Sequence, residues 1–304
     1  MSRPRTLALF LTLAAVWGSA FVAINAGLAY FPPVTFAALR FDIAAVVMLA
    51  YAAVVVEDPI PHGRRQWADV AVGATLIIAG YHAFLFVGES DPAVTSAIAA
   101  VIVGLSPVLT TVFARAFLPS ERLTLVGVLG LGVGLFGVVV LAAPDPGSLT
   151  GSGTSAKFIV FLAAASFALG SVLTRALDSG LDIETMEAWS MLVGAVLTHL
   201  VALGLGESFD AIVWTTEAVL ALGYLAVVAS GLGFLIYFDL LDRLGPIEIN
   251  LVSYVAPVFA ALVGWLLLDE GLTVTTVAGF LLICLGFGLV KRQTIREQLR
   301  PRLQ

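Results

Sequence analysis

Ten apolar stretches follow one another along the chain: Leu7–Tyr30, Val34–Val56, Trp67–Gly88, Ala93–Leu118, Leu123–Ala143, Lys157–Leu177, Glu184–Leu205, Val213–Leu241, Pro246–Leu268 and Thr273–Val290. Clusters of Pro, Gly and charge separate them. A run of about 20 apolar residues spans the ~30 Å hydrocarbon core as a helix, and in lipid a spanning segment must satisfy its own backbone hydrogen bonds. The pattern therefore predicts an all-α integral membrane protein of ten transmembrane helices. Composition agrees: 60% of the 304 residues are hydrophobic, 12% are charged, and the mean hydropathy is +1.04. That is about half the charge of a soluble domain. Cys284 is the single cysteine, so neither an intrachain disulfide nor a cysteine-based metal cluster can form.

The basic residues orient the helices. With the N-terminus inside, 13 of the 15 Lys and Arg fall on the cytoplasmic side, Lys157 falls outside and Arg40 within a helix. Positive-inside bias is the main determinant of orientation, so both termini are expected in the cytoplasm. The first segment, preceded by Arg3 and Arg5, has some features of a leader ending near Gly18–Ala20. Retaining it keeps the helix count even, as the charges require.

Pro144–Ala156 (PDPGSLTGSGTSA) is the longest polar connection and reads as a linker between two halves. The expected division is a first five-helix repeat over 1–143, an extracytoplasmic linker over 144–156, a second repeat over 157–292 and a cytoplasmic tail over 293–304. The halves resemble each other. Ser106-Pro107-Val108 matches Ala256-Pro257-Val258 and Thr35-x-x-Ala38 matches Thr185-x-x-Ala188, both at an offset of 150. Glu121-Arg122-Leu123-Thr124 matches Glu270-Gly271-Leu272-Thr273, and Gly130 and Gly137 match Gly279 and Gly286, all at 149. With five helices per half the second copy enters the membrane from the opposite side, an inverted repeat of the kind that builds secondary transporters.

Trp17-Gly18-Ser19-Ala20-Phe21, Ala38-Leu39-Arg40-Phe41, the Ser-Pro-Val-Leu-Thr run at 106–110 with Glu121, and its repeat Ala-Pro-Val-Phe-Ala at 256–260 with Glu270 resemble the drug/metabolite transporter superfamily, and within it the EamA-type ten-helix permeases. The resemblance implies a carrier of amino acids, nucleotide sugars, phosphorylated metabolites or drugs. It names a process and leaves the cargo open.

The chemistry-bearing residues are few. Pro107 and Pro257 each remove a backbone donor in mid-membrane and leave the carbonyls of Val103 and Ser253 without their usual partners. They read as flexing points facing a cavity or as packing kinks. Arg40 either snorkels to the outer interface or faces the bundle interior and receives an anionic group; Asp42, on another face, is a poor partner for it. Trp17, Tyr81, His82, Trp189, Tyr237 and Tyr254 are amphipathic rings suited to a polar cavity or to ordinary packing. His82 and His199 could relay protons or sit as satisfied imidazoles. Asn25, Asn250 and Ser253 are costly in hydrocarbon without partners and should face inward. Gly130 and Gly134 allow close helix approach, within the chain or across a dimer.

An inverted repeat places its site at the midplane. There Ser19 stands beside Trp17, and Arg40 occupies the position equivalent to Ser190. The expected substrate-binding set is Trp17, Ser19, Arg40, His82, Trp189, Ser190, Tyr237, Asn250 and Tyr254, with Pro107 and Pro257 as gating kinks. No metal, cofactor or catalytic residue is expected. No phosphate-binding G-x-x-x-x-G-K-[ST] loop, mid-helix lysine or His-x-x-x-His spacing occurs, which argues against an ATP-driven pump, a retinal protein and an intramembrane hydrolase. A channel is the rival reading. Expected partners are a small-molecule substrate and membrane lipid, not nucleic acid, with the protein a monomer or weak homodimer in the cytoplasmic membrane.

Overall fold

The structure, a computed structural model, describes residues 3–94, 96–118, 124–142, 153–268, 274–290 and 292. The motif arms at Glu121 and Glu270, most of the linker and the tail from 293 lie outside them. The ten expected helices are present: α1 (Arg3–Leu28), α2 (Pro33–Val55), α3 (Gly63–Glu89), α4 (in two pieces, Ser96–Val103 and Ser106–Phe117), α5 (Leu125–Ala142), α6 (Thr154–Leu177), α7 (Ile183–Gly204), α8 (Thr216–Leu244), α9 (in two pieces, Pro246–Ile249 and Val252–Leu268) and α10 (Val274–Val290). Six are long apolar spans; α4, α5, α9 and α10 are shorter apolar helices.

Local chemistry sets the boundaries. α2 opens on Pro33, whose fixed φ suits the first helical turn, and the Glu207 carboxylate caps it from the end of α7. It accepts from the Val34 N–H (3.0 Å), the Thr35 N–H (2.6 Å) and the Thr35 hydroxyl (2.7 Å). α3 begins four residues before the expected Trp67, because the preceding loop bonds the His62 N–H to the Gln66 side chain. α6 ends on Asp178, held at φ 44° in the left-handed region.

The two halves are paired by exchange. α1 packs on α9 as α6 packs on α4; α3 packs on α7 as α8 packs on α2; α2 meets α7 and α5 meets α10 about the axis between them. This is the contact pattern of two inverted five-helix repeats. Each repeat also widens into π-helix midway along its third helix, at Gly73–Gly80 in α3 and Tyr224–Leu232 in α8. A π turn offsets the backbone ladder and exposes carbonyls to side-chain donors. Both segments are used in that way, by a donor from the first helix of the opposite repeat: Trp17 Nε1 donates to Ala229 O (3.1 Å) and Ser166 Oγ to Leu76 O (2.7 Å).

The prolines act differently from two equivalent kinks. α4 is interrupted outright at residues 104–105, with Pro107 in the first turn of its second piece. In α9 the interruption falls earlier, at residues 250–251, and Pro257 lies inside the longer piece. The side chain of Asn250 accounts for the shift, as described below.

Candidate functional site

A cavity of about 760 Å3 of space between atoms, its mouth included, lies between the repeats. It extends along α1 from Trp17 to Ile24 and along α3 from Tyr81 to Leu85, toward the membrane face at which α1 ends and α2 begins. Gly18 brings its walls together. A Cβ on Gly18 would stand 2.4 Å from the Ala256 carbonyl oxygen of α9, so only glycine lets α1 press against that helix beside Trp17.

Arg40 enters from α2 and is 3% exposed. Its Nε and Nη2 donate to the Ser230 hydroxyl at 3.0 and 2.8 Å, and its guanidinium carbon lies 4.9 Å from the centre of the Phe41 ring. Among the described residues no carboxylate lies within ion-pair distance of it. A guanidinium has five donors, and Ser230 occupies one edge. Around it stand His82, fixed by Nδ1 against the Ile78 carbonyl (2.8 Å), and a cluster of Trp17, Tyr81, Phe167 and Phe234 with ring centres 5.0–5.9 Å apart in its closest pairs. Among the described residues no acidic side chain lines this cavity. It is an apolar, aromatic chamber with Arg40 as the one cation among the described residues, the form of a small-molecule site with few polar anchors.

Asn250 closes the inner end. From the break in α9 its Nδ2 donates to Thr110 Oγ1 (2.7 Å, α4) and Ser171 Oγ (2.9 Å, α6), and its Oδ1 accepts from the Tyr237 hydroxyl (3.1 Å, α8). Thr110 and Ser171 in turn donate to Ser106 O and Ala168 O. The Thr110 and Ser171 hydroxyls thus each give one hydrogen bond and receive one, in a cluster whose four residues are at most 1% exposed. Four helices from both repeats are tied at one point, which satisfies groups that would be costly to bury alone. It is also why α9 breaks at Asn250 rather than at its proline: the break aims the amide at three helices at once.

The EamA-like transporter family model matches residues 5–143 and again 154–292, one copy per five-helix repeat. The chain belongs to that family. EamA-type relatives include the uncharacterized transporter YoaV of Bacillus subtilis (27% identical over 89% of this chain and 91% of the relative) and the uncharacterized inner membrane transporter YedA of Escherichia coli (30%, covering 82% and 78%). A Salmonella typhimurium protein named "Probable amino-acid metabolite efflux pump" is 30% identical, over 95% of this chain and 97% of its own. A solved crystal structure superposes with a TM-score of 0.80 at 25% identity, covering 97% of this chain and 99% of the other. The protein is thus a multi-pass membrane protein of a transporter family.

Of the residues expected at an EamA-type site, the structure brings Trp17, Arg40, His82 and Asn250 together on the cavity, with Pro257 beside them. Tyr237 stands behind, its ring 5.3 Å from Trp17 and its hydroxyl on Asn250. The others lie elsewhere. Ser19 faces Tyr224, with the two hydroxyl oxygens 2.6 Å apart. Ser190 donates to Val70 O at 3.3 Å and packs on Gly73. Trp189 donates to Pro59 O at 2.8 Å near the end of α2, and Tyr254 donates to Leu131 O at 2.9 Å with its ring over Gly134. Pro107 is buried without lining the cavity, while Val103 and Ser106 beside it do line it. Arg40 turns inward rather than snorkelling, because Ser230 and the cavity offer its donors a place inside the bundle. His199 pairs with Asp42 at 2.7 Å, away from the cavity. Pattern reasoning gave no role to Ser230, Phe167 or Phe234; Ser230, a lone hydroxyl in the apolar run 226–235, carried the one available signal.

Proposed function

We propose that this protein is a secondary transporter that exports small metabolites, amino acids or similar amphipathic compounds, across the cytoplasmic membrane by alternating access. The reading rests on Arg40, a guanidinium inside the membrane that is held by one serine, faces an aromatic chamber between the repeats and lacks an acidic partner among the described residues. Intramembrane charges mark transport pathways, and this one receives the anionic end of the cargo. The efflux-pump name of a relative supports the amino-acid class. Under the orientation that the flanking charges favour, both termini are cytoplasmic, the cavity faces outward and the Asn250 cluster is the closed inner gate. Alternation divides between 1–143 and 157–292, with 144–156 as an outer tether. Non-enzymatic carriage is supported by the family, and the partner set is a small solute and lipid.

The test is counterflow in proteoliposomes. Vesicles loaded with unlabelled amino acids should accumulate the labelled compound faster than empty ones, and uptake should saturate. A flux that neither saturates nor responds to the opposite compartment identifies a pore instead.

A further inference from the structure

Among the described residues the cavity is lined by a positive group and no acidic one, and two residues of its wall have backbone carbonyls without helical donors. Pro257 has no N–H, so the carbonyl four residues earlier, on Ser253, lacks its helical donor, and the break at residues 104–105 denies the Val103 carbonyl a following turn. Val103 and Ser253 both line the cavity, one on α4 and the other on α9. Val103 is in addition the last residue of the first piece of α4, and the carbonyl end of a helix favours positive charge. Carbonyls without a donor are tolerable in a membrane only against protein or a cavity. We infer that Val103 O and Ser253 O form an ammonium subsite, so that the cargo is an α-amino acid zwitterion with its carboxylate on Arg40, its ammonium on these carbonyls and an apolar side chain against Trp17, Phe167 and Phe234.

This rests on the transport reading, but it fails separately from it. Binding of L-phenylalanine, phenylpyruvate and phenethylamine to purified protein in nanodiscs compares one ring with both charges, the anion only or the cation only. Phenylalanine should bind at least tenfold more tightly than either of the others, about 1.4 kcal/mol. Pro257→Ala restores a donor to the Ser253 carbonyl and should reduce the preference for phenylalanine over phenylpyruvate to about twofold while phenylpyruvate still binds. Equal binding of phenylpyruvate, tightest binding of phenethylamine, no binding of any of the three, or a parallel loss of both acids in Pro257→Ala overturns the subsite. The preference in the unsubstituted protein decides even if Pro257→Ala fails to fold. The transport reading itself stands or falls on counterflow.

A second observation is independent of the cavity. Glu207 caps α2 through Thr35, and the repeat offset of 150 maps this pair onto Glu57 and Thr185. Thr35 and Thr185 are each the third residue of their helix. The first clamp is closed and the second is not: Glu57 is exposed, while Thr185 Oγ1 is buried without a partner and no side chain caps α7 among the described residues. The geometry points to a pair of alternating clamps, with Glu57 capping α7 in the opposite conformation as Glu207 releases α2. Glu184, next to Thr185, repels an incoming carboxylate, so the second clamp is the weaker. The experiment follows labelling of an Ala20→Cys probe, in a Cys284→Ala background, by an impermeant maleimide applied to the outer face. Glu207→Gln should slow labelling about fivefold, Glu57→Gln should leave it equal or faster, and the double variant should return toward the parent rate. No change with Glu207→Gln, or slowing by both single variants, overturns the proposal.

Discussion

At the scale of single residues, Arg40 shows how a charge survives in hydrocarbon. Two donors converge on the Ser230 hydroxyl and the ring of Phe41 lies alongside, while the other edge of the fork remains for a ligand. Planarity matters for that division, and a lysine ammonium cannot hold Ser230 and an anion through opposite edges. Arg40→Ala is expected to abolish measurable binding of anionic and zwitterionic cargo, and Arg40→Lys to weaken it at least tenfold, in equilibrium binding on protein that remains monodisperse. Normal binding in both variants would leave Arg40 a structural residue. Asn250 gives a different expectation. Asn250→Ala leaves Thr110, Ser171 and Tyr237 without their shared partner in a closed space, a cost of about 1–3 kcal/mol, measurable as a lower unfolding midpoint in mixed micelles. Tyr237→Phe removes one bond and should cost less. Neither Ser230 nor the Asn250 cluster was legible beforehand, because both depend on which helices of opposite repeats become neighbours. That Asn250 faces inward was predictable from the cost of burying an amide, although the same rule placed Asn25 inward and the structure leaves it exposed on α1; the three partners of Asn250, from α4, α6 and α8, were not predictable.

Among the elements, α5 and α10 form the tightest pair. Cβ atoms on Gly137 and Gly286 would stand 2.7 Å from Ile283 N and 2.5 Å from Gly134 N, so the two backbones touch through their glycines. The small residues that could have served a dimer are occupied inside the chain. Gly286→Val and Gly137→Val should each separate the pair and lower the yield of folded protein, read by size exclusion in mild detergent, whereas Gly132→Ala, where an added Cβ meets nothing within 4 Å, should be neutral. The helix count and the equivalence of these glycines followed from hydropathy and repeat spacing. The π segments and the break at Asn250 did not, since they arise where side chains from the other repeat compete for backbone carbonyls.

For the whole molecule, orientation is the testable property. Single cysteines at Ser152 and Thr294 in a Cys284→Ala background should react oppositely with an impermeant thiol reagent in sealed cells, Ser152 labelled and Thr294 protected. Equal labelling of both would reject the arrangement that the flanking charges favour.

The exchange of first helices, α1 onto α9 and α6 onto α4, bears on how the chain is made. A ribosome that has released only the first five helices has inserted a half whose α1 and α4 still await their partners, with Trp17 and Arg40 facing lipid or each other. The nascent half is therefore a client for insertion chaperones until α6 and α9 arrive. Fragments ending at Ala143 and starting at Gly153 should each be degraded when produced alone. Produced together, they should protect each other and recover binding, because the linker contributes proximity while the interleaved helices supply the bonds.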